Sequence, residues 1–355
     1  MTRRARAALF ALSVAWLLPF GTARMARADT APSVWDRARD PSVGPSYRLH
    51  LEAQRRLARV EPLFDLGFGF SAPHESQKDT VRAMLERVGA DKSPDVRLRF
   101  DLGLVYLLLG KTEGRTYFGR AAEVLKGALA LAPDHPAAEE AWSRLAEACG
   151  HIGDHDCERR AYDRVLALTT EEADRGTSTL NLAETSMHLG DLDEAIEGYR
   201  EALRIASRSP SRTLAPLAIW GLAVALDRSG DRAGADKQAL AVIELQASSA
   251  MGNLLRSPGV FFYPEYELRW YDGVGACALA RRASTSPTMA ARYWRAAEDA
   301  FAAYVQAAQR SGATDRWLEL AKLRHAAAKA AREAADRRPR APSRPGPEDD
   351  GEPLF

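Results

Sequence analysis

The nine residues from Cys149 to Cys157, CGHIGDHDC, bring two thiols, two imidazoles and two carboxylates into one short tract. Cysteine, histidine and aspartate are the ligand types zinc prefers, so the tract reads first as a candidate metal site. In an oxidising compartment the same two thiols, Cys149 and Cys157, also read as a disulfide pair. The remaining cysteine, Cys277, lies in the small-residue stretch GACALA and reads as a buried packing residue. A choice between metal and turn depends on whether the chain repeats this pattern with the ligands replaced.

It does repeat it. HIGDHDCERR at 151–160 aligns with HLGDLDEAIE at 188–197 and RSGDRAGADK at 228–237, where Leu192 and Glu194, then Arg232 and Gly234, stand in place of His155 and Cys157. The glycine and aspartate persist while the ligands do not, which makes this a turn between two helices and leaves no metal among the expectations. A disulfide across that turn remains open beside a plain packing role, because Cys149 falls near the end of one predicted helix and Cys157 near the start of the next.

The alignment extends over four segments, 99–111, 141–168, 179–206 and 219–245. Each has a leucine followed by a small residue (Leu102-Gly103, Leu145-Ala146, Leu182-Ala183, Leu222-Ala223). Eight positions after that leucine comes Gly110, Gly153, Gly190 or Gly230. Self-similarity at a period of a few tens of residues marks a repeat architecture. In LDEAIEGYREALRIA, Leu192, Ala195, Ile196, Tyr199, Ala202 and Leu203 share one helical face and Glu197, Arg200, Glu201 and Arg204 the other. Asp191, with Glu194 three residues later, is placed to cap that helix. One such hairpin cannot bury its apolar face alone, so the hairpins must stack.

Trp142-x2-Leu145, Leu102-Gly103-x2-Tyr106, Ala195-x3-Tyr199 with Ala202, and Ala121-x3-Leu125 with Ala128 and Pro133 together resemble the tetratricopeptide repeat over about residues 97–247. The leucines are 43, 37 and 40 residues apart, longer than that family's spacing, so extended connections are expected, with an insertion near 111–117 in the first repeat. The resemblance implies an all-α, right-handed superhelical solenoid of helix-turn-helix repeats, here with a helical C-terminal cap. It also implies a concave groove, lined by the first helix of each repeat, that binds a peptide or protein.

Counted from each leucine, the residues one before, two after and six after are Arg144, Glu147 and His151 in the second repeat, Asn181, Glu184 and His188 in the third, and Gly221, Val224 and Arg228 in the fourth. The polar members, Arg144, Glu147, His151, Asn181, Glu184, His188 and Arg228, are the expected partner-binding residues. Asn181 matches an asparagine the family prefers, but the set does not reproduce the family's carboxylate-binding combination.

The flanks complete the plan. Residues 1–28 have a basic start (Arg3, Arg4, Arg6), an apolar run from about Ala7 to Phe20 and an Ala26-Arg27-Ala28 ending, the form of a cleaved secretory signal peptide. Residues 29–45 read as linker, 46–96 as N-terminal helices, 248–337 as a divergent repeat with a capping helix, and 338–355, rich in Pro, Gly and charge, as a disordered tail. Loss of the five arginines in 1–28 turns the formal charge of +1 into −4, which offers no nucleic-acid footprint. No later apolar run is long enough to span a bilayer.

Gly273-Val274-Gly275-Ala276-Cys277-Ala278 imitates a dinucleotide fingerprint, but no strand precedes it. No P-loop, G-x-S-x-G or H-E-x-x-H occurs. The aromatic cluster Phe261, Phe262, Tyr263, Tyr266, Trp270 and Tyr271 reads as packing, with a recognition patch as the alternative, and Lys322, Arg324, Lys329 and Arg332 as a solvated cap face, with contact to an anionic surface as the alternative. The expectation is an exported, periplasmic or secreted, non-catalytic scaffold for a protein or peptide partner, without cofactor, metal or nucleic acid. The alternatives are a subunit of a larger envelope or secretion assembly, a membrane-peripheral protein, and an enzyme with its site in 248–310.

Overall fold

The computed structural model describes residues 43–58, 72–208, 211–248, 254–257, 260–283 and 286–337. The signal segment, most of the linker and the tail lie outside these residues. Among the described residues there is no strand, and no helix is long and apolar enough to cross a membrane.

Thirteen helices are described. Helices α1 (Val43–Leu57) and α2 (Ala72–Arg87) precede the repeats, with α1 beginning inside the segment expected to be linker. The first repeat is α3 (Val96–Glu113) with α4 (Thr116–Leu131), and the second is α5 (Ala138–Ile152) with α6 (His155–Leu168). The third is α7 (Glu172–Leu189) with α8 (Leu192–Ala206), and the fourth is α9 (Leu214–Ser229) with α10 (Arg232–Ala247). Then follow α11 (Leu268–Arg282), α12 (Pro287–Ser311) and α13 (Leu318–Asp336). Sequential neighbours pack on one another, as in α3/α4, α5/α6, α9/α10 and α12/α13. This is the all-α repeat architecture expected from the period.

The chain forms two compact units. The N-terminal unit takes α1 to Thr185 of α7 together with Arg256–Phe261, and the C-terminal unit takes the remainder. In the N-terminal unit α3 is the buried axis: from Phe100 to Gly110 every residue is buried, because α1, α2, α4 and α5 all pack against it. In the C-terminal unit α8 buries Ala195, Ile196, Tyr199, Ala202, Ile205 and Ala206 and exposes Glu197, Arg200 and Arg204, as its periodicity requires.

The inter-helix turns follow local chemistry. Gly153, Gly190 and Gly230 hold φ of 77°, 89° and 97°, a left-handed conformation that side-chain-bearing residues adopt at a cost. After the second repeat's turn the Asp154 carboxylate accepts the Cys157 amide, and Asp231 likewise caps α10 through Gly234. Asp191 occupies the same position without a side-chain cap bond.

Gly110 departs from the pattern. It stays helical, α3 runs on to Glu113, and Gly114 (φ 134°) makes the break. No aspartate follows Gly110 to cap a new helix, and a Cβ there would meet the Phe118 ring at 2.6 Å. Gly110 is therefore a close-approach residue, like Gly103 against Leu125. The extra repeat length is spent on this longer α3 and on connections such as 132–137 and 207–213.

At Gly221 the approach is closer than at Gly103 or Gly110, since a Cβ would sit 2.2 Å from the Tyr199 ring. Gly221→Ala should cost about 1–2 kcal/mol by overpacking, measured as a lowered urea midpoint with unchanged slope.

Candidate functional site

In the second and third repeats the polar row is partly buried, and several of its members are bonded to the helix pair that precedes them. Asn181 on α7 donates through Nδ2 to Tyr162 Oη on α6 at 2.9 Å. Glu147 on α5 pairs with Lys111 Nζ on α3 at 2.7 Å and lies 3.8 Å from His151 Nε2. Arg144 pairs with Glu140 one turn earlier on its own helix. The corresponding residue of the first repeat, Asp101, is buried and accepts from His50 Nδ1 (2.8 Å) and Gln54 Nε2 (2.6 Å) of α1. Part of the row thus couples successive hairpins. Glu184 and His188 lie partly buried on α7.

Burial opposes ionisation of Glu147, but the His151 hydrogen bond and the Lys111 ammonium together outweigh it and hold the carboxyl down at about 2. A carboxyl depressed from its usual 4.5 to about 2 stabilises the fold above pH ~4.5, and that contribution fades as pH falls toward 2. Glu147→Gln should therefore cost about 1–2 kcal/mol at pH 7, discounted for partial exposure, and nothing at pH ~2. Paired urea titrations across that range measure it.

His151 has a further arrangement that no sequence pattern signalled. Its ring stacks on Phe118 at 3.9 Å with 7° between planes, and on its other face lies Phe261 at 3.8 Å and 20°. Arg115 donates to its carbonyl. Phe118 is buried, whereas Phe261 keeps 37% of its surface exposed.

The fourth repeat corrects the expected row. Gly221 and Val224 are buried, and the Arg228 side chain has no exposed surface. Arg228 pairs with Glu267 and lies over the rings of Trp270 (4.5 Å) and Trp317 (4.7 Å). It is a core cation and offers nothing to a partner. Of the aromatic cluster, Trp270 packs on it: Trp270 is fully buried, and its Nε1 donates to Asp227 Oδ2 at 3.0 Å.

Arg324, expected on a solvated face, is likewise buried, its Nε 2.9 Å from Asp227 Oδ1. A cation beside a carboxylate from a distant helix can be desolvated where one facing water would not be. The other basic residues of α13 do stay at the surface, with Lys322 pairing to Glu319 and Arg332 to Glu298.

Cys149 and Cys157 are joined as a disulfide, with their Cα atoms 5.9 Å apart. Asp154 lies close enough to form a three-residue ligand set with them, within 4.8 Å, but bonded sulfurs are not thiolates and cannot ligate a metal. His155 is turned to Glu158 at 2.9 Å. In the C-terminal unit a cavity of about 220 Å³ is bordered by Asp227, Asp236, Cys277, Arg281, Phe301 and Arg324. Its acids are paired, Asp227 with Arg324 and Asp236 with Arg281. Burial pushes the Cys277 thiol up to about 12, so it is protonated at neutral pH and no nucleophile. The Gly273–Ala278 tract lies inside α11, not in a strand–turn–helix.

No curated protein matches the chain. Solved structures that resemble it include MamA from Desulfovibrio magneticus RS-1, 16% identical over 56% of this chain and 97% of that one with a TM-score of 0.42. Another is a Podosopora anserina protein described as a kinesin light chain with nearly identical TPR-like repeats, 18% identical over 57% and 95% with a TM-score of 0.43. The tetratricopeptide repeat family model matches residues 178–208, the hairpin of α7 and α8. The third hairpin therefore matches the tetratricopeptide repeat, and helix-turn-helix pairs precede and follow it.

Proposed function

We propose that this protein is an exported scaffold without catalytic activity that holds a protein or peptide partner on the first helices of its second and third repeats. Tetratricopeptide repeats serve protein–protein interaction in general. The observation that carries the reading here is that polar residues recur in register on α5 and on the part of α7 in the same unit: Arg144 with Asn181, and Glu147 with Glu184, all only partly buried. Stacked repeats turn such a register into an extended recognition strip. The fourth repeat falls out of the strip, because Arg228 is a core residue.

Export is supported by the basic, apolar and Ala-x-Ala pattern of 1–28 and suits a protein with a disulfide. Protein purified from its native source should begin at Asp29 by mass. An N-terminus at Met1 in a cytoplasmic fraction contradicts export.

The binding reading is tested by affinity capture from native envelope extract, comparing wild type with Glu184→Ala. The variant should stay within about 1 kcal/mol of wild-type stability, as substitutions at incompletely buried sites usually do, and should lose most of the captured partner. Full capture by the folded variant overturns the assignment.

A further inference from the structure

Among the described residues of the connection from α10 to α11 stand two short helical turns, Leu254–Arg256 and Glu265–Glu267. Leu254 and Leu255 are buried in the C-terminal unit, yet the next six residues, Arg256–Phe261, belong to the N-terminal unit. What Phe261 does there is close the stack Phe118–His151–Phe261. His151 is the second repeat's member of the polar strip, so one place on that strip is already taken by the chain itself.

We propose that the Phe118–His151 platform is a seat for an aromatic side chain carried on an extended segment, and that Phe261 is its resident, displaceable occupant. The partner that fits is a peptide with an aromatic anchor, and Phe261 lowers that partner's apparent affinity until displaced. The inference rests on the strip being the binding surface. Three observations support it. The seat is formed on one side only, since Phe118 is buried beneath His151 while Phe261 above remains 37% exposed. The occupant is a single ring, and Phe261 itself lies outside any helix. The neighbouring polar groups are bonded among themselves, Glu147 to Lys111 and Arg115 to the His151 carbonyl, so the ring face of His151 is what the site presents to an incoming group. An occupant tethered on the same chain competes at an effective concentration on the order of millimolar.

The test uses the full chain with labelled histidines and the synthetic segment LLRSPGVFFYP (residues 254–264) as probe. A ring held between two aromatic faces has strongly upfield-shifted resonances. Phe261→Ala should move the His151 ring signals downfield with the other histidines unchanged. Adding the peptide at about millimolar concentration should return them upfield in Phe261→Ala, and do so at least about fivefold less in wild type. The same peptide with alanine in place of both phenylalanines should have no effect. Failure of the peptide to restore the shift in the folded variant, or equal response of wild type and variant, overturns the proposal. A strip that binds no native partner would leave the peptide response intact, so the two readings fail separately.

Discussion

Glu267→Leu is expected to cost about 3–5 kcal/mol, because it leaves the Arg228 guanidinium buried without its counter-ion. Arg228 has no exposed side-chain surface, and its Nη2 pairs with Glu267 Oε2. Its Nε and Nη1 have no hydrogen-bond partner among the described residues, and the rings of Trp270 and Trp317 cover it. Burial opposes the charge of this group, but the Glu267 carboxylate outweighs it and holds the guanidinium pKa above its ordinary value. Tyr304 Oη donates to Glu267 Oε1 at 3.0 Å, so the substitution also removes an acceptor from a buried phenol. Urea unfolding of the variant should show a sharply lowered midpoint. The control is Arg228→Met/Glu267→Leu, which removes both charges together and should recover most of the loss. If Glu267→Leu alone costs under about 1 kcal/mol, the pair is solvated and the core placement of Arg228 is wrong.

Reduction of Cys149–Cys157 is the second large effect. The bridge closes a loop of residues eight apart in sequence, and the chain-entropy estimate for so short a loop is about 2–3 kcal/mol. The Gly153 turn and the Asp154 cap already favour the hairpin in the unfolded chain, which places the expected loss at the lower end. Protein isolated without reductant should show one reactive thiol after denaturation, that of Cys277, and Cys149→Ala/Cys157→Ala should match the stability of the reduced protein. Three reactive thiols in the untreated protein contradict the bridge.

What could be read from the sequence is what depends on neighbours along the chain. The Gly-Asp turns at 153, 190 and 230 are local: a residue tolerant of positive φ followed by a side chain able to cap the next helix. The buried face of α8 is likewise fixed by a period of 3.6. Gly110 shares the residue type and position of a turn glycine, while its reason, the Phe118 ring, lies on the next helix. Arg228 and Arg324 look like surface residues in the sequence because arginine without its partner in view belongs there. Their partners, Glu267 and Asp227, lie 39 and 97 residues away. The Phe261 seat was hidden for the same reason: an aromatic cluster in sequence does not say which of its rings leaves to pack on a different repeat.

The most direct measurement is amide hydrogen exchange of the full chain with and without its captured partner. Binding on the repeat strip predicts added protection in α5 and α7, at 144–151 and 181–188, with faster exchange at 256–261 as the Phe261 segment gives way. Protection confined to α12 and α13, with 144–188 unchanged, would contradict it.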